Sequence, residues 1–313
     1  MRSSRIRRSG VTCQHIYNRA GGTRKDIVFG DKEKEMFFEL VHELTKFFTV
    51  EVVSLVCMGN HWHAVICSSD ELPSREEAAR RYEAYYGGSK PTPIWSVDAE
   101  YLRHAGRMAD FSCFVKDLQQ KFTTWFNKTR PVRRRGRLWA DRFKNVILED
   151  GPALWQCVEY VEMNPVRAGL CGNPGDYAFS TWGRWKTNGV HPFAENVVKH
   201  MGDVLGKPDE IPRIDDVLRE LENRVEYATR LELGATGEAA QKAYHETRGK
   251  NKLDLTRRTR YWTNGAIIGS AEFVRSVVAE VFGDDRAEKK RLTKTVAASG
   301  DVLHSYRHLR NDG

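Results

Sequence analysis

Polar and apolar positions alternate through "VTCQHIYNRA" (11–20), which predicts a first β-strand, followed by a turn at "GGTRK". The period then changes. In "DKEKEMFFELVHELTKFF" the apolar residues Phe37, Leu40, Val41, Leu44, Phe47 and Phe48 recur at helical spacing, with Asp31 placed to cap the helix. "TVEVVSLVCMG" reads as a second strand and "HWHAVICSS" as its antiparallel partner. "SREEAARRYEAYY" predicts a short helix within an insertion at about 70–110, while "KPTPIWSVDAEYLRHAGRM" carries no clear pattern. A strong helix follows in "DFSCFVKDLQQKFTTWFNKT", then a basic loop, a part-strand in "GRLWADRFKNVILE", and a helix in "GPALWQCVEYVEMNPVRAGL" that meets Pro165. The order β-α-β-β-α-β-α predicts an α+β sheet protein.

Beyond Trp185 the pattern weakens. "KTNGVHPFAENVVKH" and "GKPDEIPRI" read as connector, "IDDVLRELENRVEY" and "SAEFVRSVVAEVFG" as helices, the latter capped by Ser270, and the tail from Asp284 is highly charged. The expected organisation is a basic N-terminal arm (1–9), a main domain (10–186) and a smaller, mainly helical C-terminal region (187–313).

Composition adds a few constraints. The 313 residues carry a net charge of +8, which favours an anionic partner. No apolar run of about 18 residues predicts a membrane span, and no apolar segment follows the basic start as in a signal peptide. The six cysteines contain no C-x-x-C pair and read as small core residues in a reduced, cytoplasmic setting.

Two places offer chemistry. In "MGNHWHAVI", His61 and His63 flank Trp62; on a strand, residues i and i+2 share a face, so both imidazoles would reach one cation while Trp62 turns into the core. A bare H-x-H also arises by chance on a sheet face, and two ligands do not make a metal site. In "LWQCVEYVEMNP", Leu154, Cys157, Val158 and Val161 form an apolar stripe, and Gln156, Tyr160 and Asn164 fall at i, i+4 and i+8 on a different, polar face, unless Pro165 breaks the helix at Asn164. An isolated tyrosine is most often a packed ring with one hydrogen bond. The functional alternative is Tyr160 as a nucleophile on a phosphodiester, with Asn164 as an oxygen ligand and a divalent cation polarising the phosphate.

These residues carry a resemblance. "HWH" is similar to the His-hydrophobic-His motif of HUH endonucleases. "GVTCQHIYNRAGG", "MGNHWHAVI", "RLWADRFKNVIL", "VEYVEMNPVRAGL" and "DYAFSTW", in order over about residues 10–185, resemble the REP-associated tyrosine transposases; "RYWTNGAIIGSAEFV" resembles an extension found in some of them. The resemblance implies a ferredoxin-like antiparallel sheet packed by helices. It implies metal-dependent cleavage and rejoining of single-stranded DNA beside hairpins through a 5′-phosphotyrosine; the expected setting is the bacterial cytoplasm, at the nucleoid, with a monomer or a homodimer both open. The resemblance places Tyr160 on the nucleophile and His61, His63 and Asn164 on the metal ligands; this mixed N/O set suits Mg²⁺ or Mn²⁺ and does not exclude Zn²⁺. Gly59 stands where the family more often has Pro, and the 70–110 insertion is long for the family.

"NKTRPVRRRGRLWADRFK" (127–144) is a nearly pure cationic run with interleaved aromatics, suited to phosphates and unstacked bases. Its Arg133, Arg134, Arg135, Arg137, Trp139, Arg142 and Lys144, with Arg19 and the arm residues Arg2, Arg5, Arg7 and Arg8, are the candidate DNA contacts. Arg257, Arg258 and Arg260 are further candidates. Two other readings stand beside the enzyme: a hairpin-binding chromosomal or regulatory protein with cleavage lost or secondary, and a zinc hydrolase built on H-x-H, which would need a further His or carboxylate ligand.

Overall fold

The alternating segment at 11–20 becomes strand β1 (Thr12–Arg19), and the two strands read after the first helix become the hairpin β2 (Glu51–Cys57) and β3 (His61–Ser68). The computed structural model describes residues 8–23, 26–132, 134–202, 212–234, 261–289, 292–297 and 302–306. β1 lies antiparallel between β3 and β4 (Lys144–Leu148). β5 (Ile267–Gly269) continues the sheet parallel to β4, and β6 (Lys294–Ala297) and β7 (Val302–Tyr306) complete the order β2-β3-β1-β4-β5-β7-β6.

Alternation decides which side each residue faces. Ile16, Trp62, Ala64 and Ile66 turn to one layer, against helices α1 (Asp31–Phe47) and α4 (Phe111–Lys128), whose Phe37, Phe38, Leu44, Phe114, Leu118 and Phe122 are buried. The 70–110 insertion forms α2 (Arg75–Tyr86) and α3 (Asp98–Ala109) and packs on this layer through Ala78, Tyr82 and Met108. Helix α3 arises in the segment whose sequence showed no clear pattern. Asp31 is not the cap of α1: Gly30 holds that position and its N–H donates to the Glu33 carboxylate at 2.8 Å, leaving Asp31 as the first helical residue.

The opposite face carries Cys13, Val65, Val146 and Leu148 against α5 (Pro152–Glu162). Short α6 (Asn164–Arg167) and α7 (Thr181–Asn188) follow, then α8 (Ala194–Met201), which forms inside the stretch expected to be connector. Apolar Val197 and Met201 explain the difference: they give α8 a face to bury in this core. Helix α9 (Ile214–Gly234) packs on α5 through Val217, Leu221 and Val225.

With the sheet on one side and α9 on another, nine of the eleven residues of α5 are buried. Gln156 is buried along with the apolar stripe, so it departs from the polar face expected to hold Gln156, Tyr160 and Asn164 together. Helices α10 (Tyr261–Asn264), α11 (Ala271–Phe282) and α12 (Asp284–Ala287) belong to the C-terminal part, with Ser270 capping α11 as expected. That part is mainly helical among the described residues, yet it also supplies β5, β6 and β7 to the common sheet.

The cysteines depart from expectation. Cys13 and Cys67 are direct cross-strand partners and form a disulfide, so the reduced setting no longer follows from cysteine usage. Their 54-residue separation hides a pairing that only the register of β1 on β3 creates. Cys57 and Cys157 are free and buried, as read; Cys113 and Cys171 are free and half-buried. Among the described residues no helix is long and apolar enough to cross a membrane.

Candidate active site

The register of β1 on β3 sets Tyr17 opposite His63 and Arg19 opposite His61, and β4 places Lys144 opposite Tyr17. Opposed residues share a face. His15, Tyr17, Arg19, His61, His63 and Lys144 therefore all stand on the α5 side of the sheet. The imidazoles of His61 and His63 are 5.2 Å apart between centroids, and Trp62 points into the other layer, fully buried, as the alternation predicts.

Tyr160 occupies the last turn of α5. The chain enters that helix through Gly151, whose φ of 78° favours glycine, and Pro152 at the first turn. It leaves at Met163, because Pro165 cannot continue the hydrogen-bond ladder, so Asn164 starts the separate turn α6. The helix end leaves unpaired carbonyls. Asn164 Nδ2 donates to Tyr160 O at 2.8 Å and to Val161 O at 3.3 Å, and Arg167 donates to Tyr160 O at 3.2 Å. The Asn164 amide is thereby oriented, leaving Oδ1 as its ligand atom. Buried Glu162, pushed up to about 7 by burial, ties α5 to β2 and α7 by accepting from Ser54, Thr181 and the Trp182 N–H.

These side chains line one open cavity of about 470 Å³: Tyr160, Asn164, His61 and His63 together with the cations Arg19, Arg142 and Lys144. The Tyr160 ring meets the rings of His15 and His63 edge-on, each at 5.7 Å. Burial pushes the Tyr160 phenol up to about 12, opposed by the Arg167 guanidinium 5.5 Å from its ring. His61 is lowered to about 4, first by burial and then by Arg19; His63 is held well below its ordinary value by burial and by His15 and His61. Both imidazoles are neutral at neutral pH, the form that ligates metal.

The donor set fits a divalent cation. His61 Nδ1 lies 2.7 Å from Asn60 Oδ1, and Asn60 Nδ2 donates to Asp26 O, which assigns that amide's orientation. His61 Nδ1 therefore carries the proton and Nε2 the lone pair. His63 Nδ1 is engaged by His15 at 2.9 Å, which leaves Nε2 without a protein partner among the described residues. Two imidazole nitrogens and one amide oxygen are compatible with Mg²⁺ or Mn²⁺. Among the described residues no third His, Cys or carboxylate comes within ligating reach of the pair; the grouping of such side chains that does occur, Cys13, Cys67 and His200, lies elsewhere and holds the disulfide.

The other candidate DNA contacts divide. Arg134, Arg135 and Arg137 are exposed on the loop after α4, outside the cavity, with Arg134 donating to Arg137 O at 3.0 Å. Trp139 is not a free stacking platform: its ring packs 5.8 Å from Phe29 and 5.8 Å from Phe122, and its N–H donates to Gln119 O. Arg8 is not a free arm residue either. It sits beyond the Thr12 end of β1, away from the site, pairing with Glu280 at 3.3 Å and lying over the Phe273 ring. Arg2, Arg5, Arg7, Arg133, Arg257, Arg258 and Arg260 fall outside the described residues.

His15, Tyr17, Trp262 and Thr263 join the site without having been singled out in the sequence. "HIYNR" repeats the same-face spacing of H-x-H, so His15, Tyr17 and Arg19 were legible as one row. Trp262 and Thr263 lie in the quoted "RYWTNGAIIGSAEFV", but only tertiary packing brings them to the site.

No family model matches the chain, and no curated protein matches it. Among solved structures, a REP-associated tyrosine transposase bound to a REP hairpin is similar at 16% identity, covering 66% of this chain and 96% of that one, with a TM-score of 0.39.

Proposed function

We propose that the chain cleaves and rejoins single-stranded DNA at hairpin-forming sequences, with Tyr160 as nucleophile. The observation that carries this is the single cavity lined by Tyr160, His61, His63 and Asn164 with three cations at its wall. Arg19, Arg142 and Lys144 bind the phosphates and offset their charge. Tyr160 Oη forms a bond to phosphorus as the P–O3′ bond breaks, and the phenol proton is balanced by one taken up from solvent at the departing O3′, giving a 5′-phosphotyrosine and a free 3′-hydroxyl. Attack by another 3′-hydroxyl reverses the step and needs no ATP, because the covalent link conserves the phosphodiester. The Tyr160 phenol is protonated in the cation-free site, and Arg167 favours its anion. His61, His63 and Asn164 would hold Mg²⁺ or Mn²⁺, which supplies polarisation of a phosphate oxygen.

A cleavage assay tests this. End-labelled single-stranded hairpin DNA from beside the gene is incubated with protein and Mn²⁺ or EDTA. Cleavage that needs Mn²⁺ and stops in Tyr160→Phe is expected. Hairpin binding without cleavage would replace the enzyme by a hairpin-binding regulatory protein.

A further inference from the structure

Helix α10 lies about a hundred residues after Tyr160 in the chain and yet touches the site at three points. The Trp262 carbonyl is 2.8 Å from His15 Nδ1, the Thr263 carbonyl accepts from the Tyr17 hydroxyl, and the Trp262 ring stacks on Tyr160 at 6.0 Å. A carbonyl only accepts, so His15 Nδ1 carries a proton. His15 is fully buried among the rings of Tyr17, His63 and Tyr160, and among the described residues no carboxylate is a hydrogen-bond partner of it, so it is neutral and its Nε2 is bare. That bare nitrogen lies 2.9 Å from His63 Nδ1, which must then donate. A neutral His63 with its proton on Nδ1 has its lone pair on Nε2.

We propose that His15 is a positioning residue: together with the Trp262 carbonyl it holds His63 in the Nδ1–H tautomer, leaving Nε2 as the ligating nitrogen. The C-terminal region is then part of the site through its backbone. Tyr17, tied to the Thr263 carbonyl and stacked on both His15 and His63, keeps the pair in plane. The use of Nε2 as a ligand rests on the cation reading above; the tautomer does not.

Long-range ¹H–¹⁵N correlations of the full-length, metal-free protein, with histidine rings assigned by single substitutions, report each tautomer directly. His15 and His63 are expected protonated at Nδ1 and bare at Nε2. His15→Phe keeps a ring but removes the acceptor; it should release the Nδ1 proton of His63 to Nε2 and weaken Mn²⁺ binding, read from free Mn²⁺ by electron paramagnetic resonance, by about 10- to 100-fold. His15→Gln supplies an acceptor oxygen and a donor N–H2 and should retain the wild-type tautomer and most of the affinity. A wild-type His63 protonated at Nε2, or Mn²⁺ binding unchanged in His15→Phe, overturns the proposal. A wild-type His63 protonated at Nδ1 with no Mn²⁺ binding at all would support the tautomer and overturn the cation reading instead.

Discussion

Trp62 sits between the two histidines, and its burial is what commits them to the opposite face. Its side chain is 1% exposed, with its ring 5.3 Å from Phe37, and its indole N–H has no partner among the described residues. Trp62→Ala would delete a fully buried aromatic side chain that the surrounding Phe37 and Ile66 cannot wholly replace, at about 3–5 kcal/mol. Trp62→Phe would leave a smaller void and remove a buried N–H whose unpaired state costs about 1–3 kcal/mol, so the two effects offset and the net loss should be about 1 kcal/mol. Urea unfolding measures both variants, and Trp62→Phe should still bind Mn²⁺. If Trp62→Ala cost under about 1 kcal/mol, Trp62 would not be packed as described, and the register that sets His61 and His63 side by side would be wrong.

Four further outcomes follow from the same geometry. His191 is buried, lowered to about 4 by that burial, and accepts from the Phe193 N–H through Nδ1. The unfolded chain therefore binds this proton more tightly between about pH 6.5 and 4, and stability falls as pH drops through that window, by about 2 kcal/mol from pH 7 to 5; His191→Phe should flatten the urea-midpoint profile by that amount, and an unchanged profile would contradict it. Reducing Cys13–Cys67 should cost about 2–4 kcal/mol, and the same reductant should leave a Cys13→Ser/Cys67→Ser protein unaffected in thermal melts. Arg142→Ala/Lys144→Ala should weaken binding of a single-stranded hairpin oligonucleotide and make the slope of log K against log salt shallower by about 1.4. Trp139→Phe, by contrast, should leave that affinity unchanged, because Trp139 packs on Phe29 and Phe122.

Much of this site is written in local periodicity. The two-residue repeat is enough to put His61 and His63 on one face and Trp62 on the other, and Pro165 is enough to separate Asn164 from the helix that carries Tyr160. What local pattern cannot carry is register. The Cys13–Cys67 bond, the approach of His15 to His63 and the packing of Trp139 all depend on which residues face one another across strands or layers. The same limit explains the C-terminal part. β5 spans three residues, Ile267–Gly269, too short for alternation to announce, yet it extends the common sheet and places the Trp262 and Thr263 carbonyls at the site. The basic loop shows the converse: charge density alone did not distinguish Arg142 and Lys144, which line the cavity, from Arg134, Arg135 and Arg137, which do not.

The most direct measurement is to locate the covalent bond. Protein incubated with Mn²⁺ and a single-stranded hairpin oligonucleotide from beside its gene is denatured, digested with protease and nuclease, and mapped by mass spectrometry. A nucleotide attached through phosphate to the peptide containing Tyr160, absent when EDTA replaces Mn²⁺, is the predicted result. Attachment at another residue, or strand cleavage with no protein-linked nucleotide at all, would contradict the account.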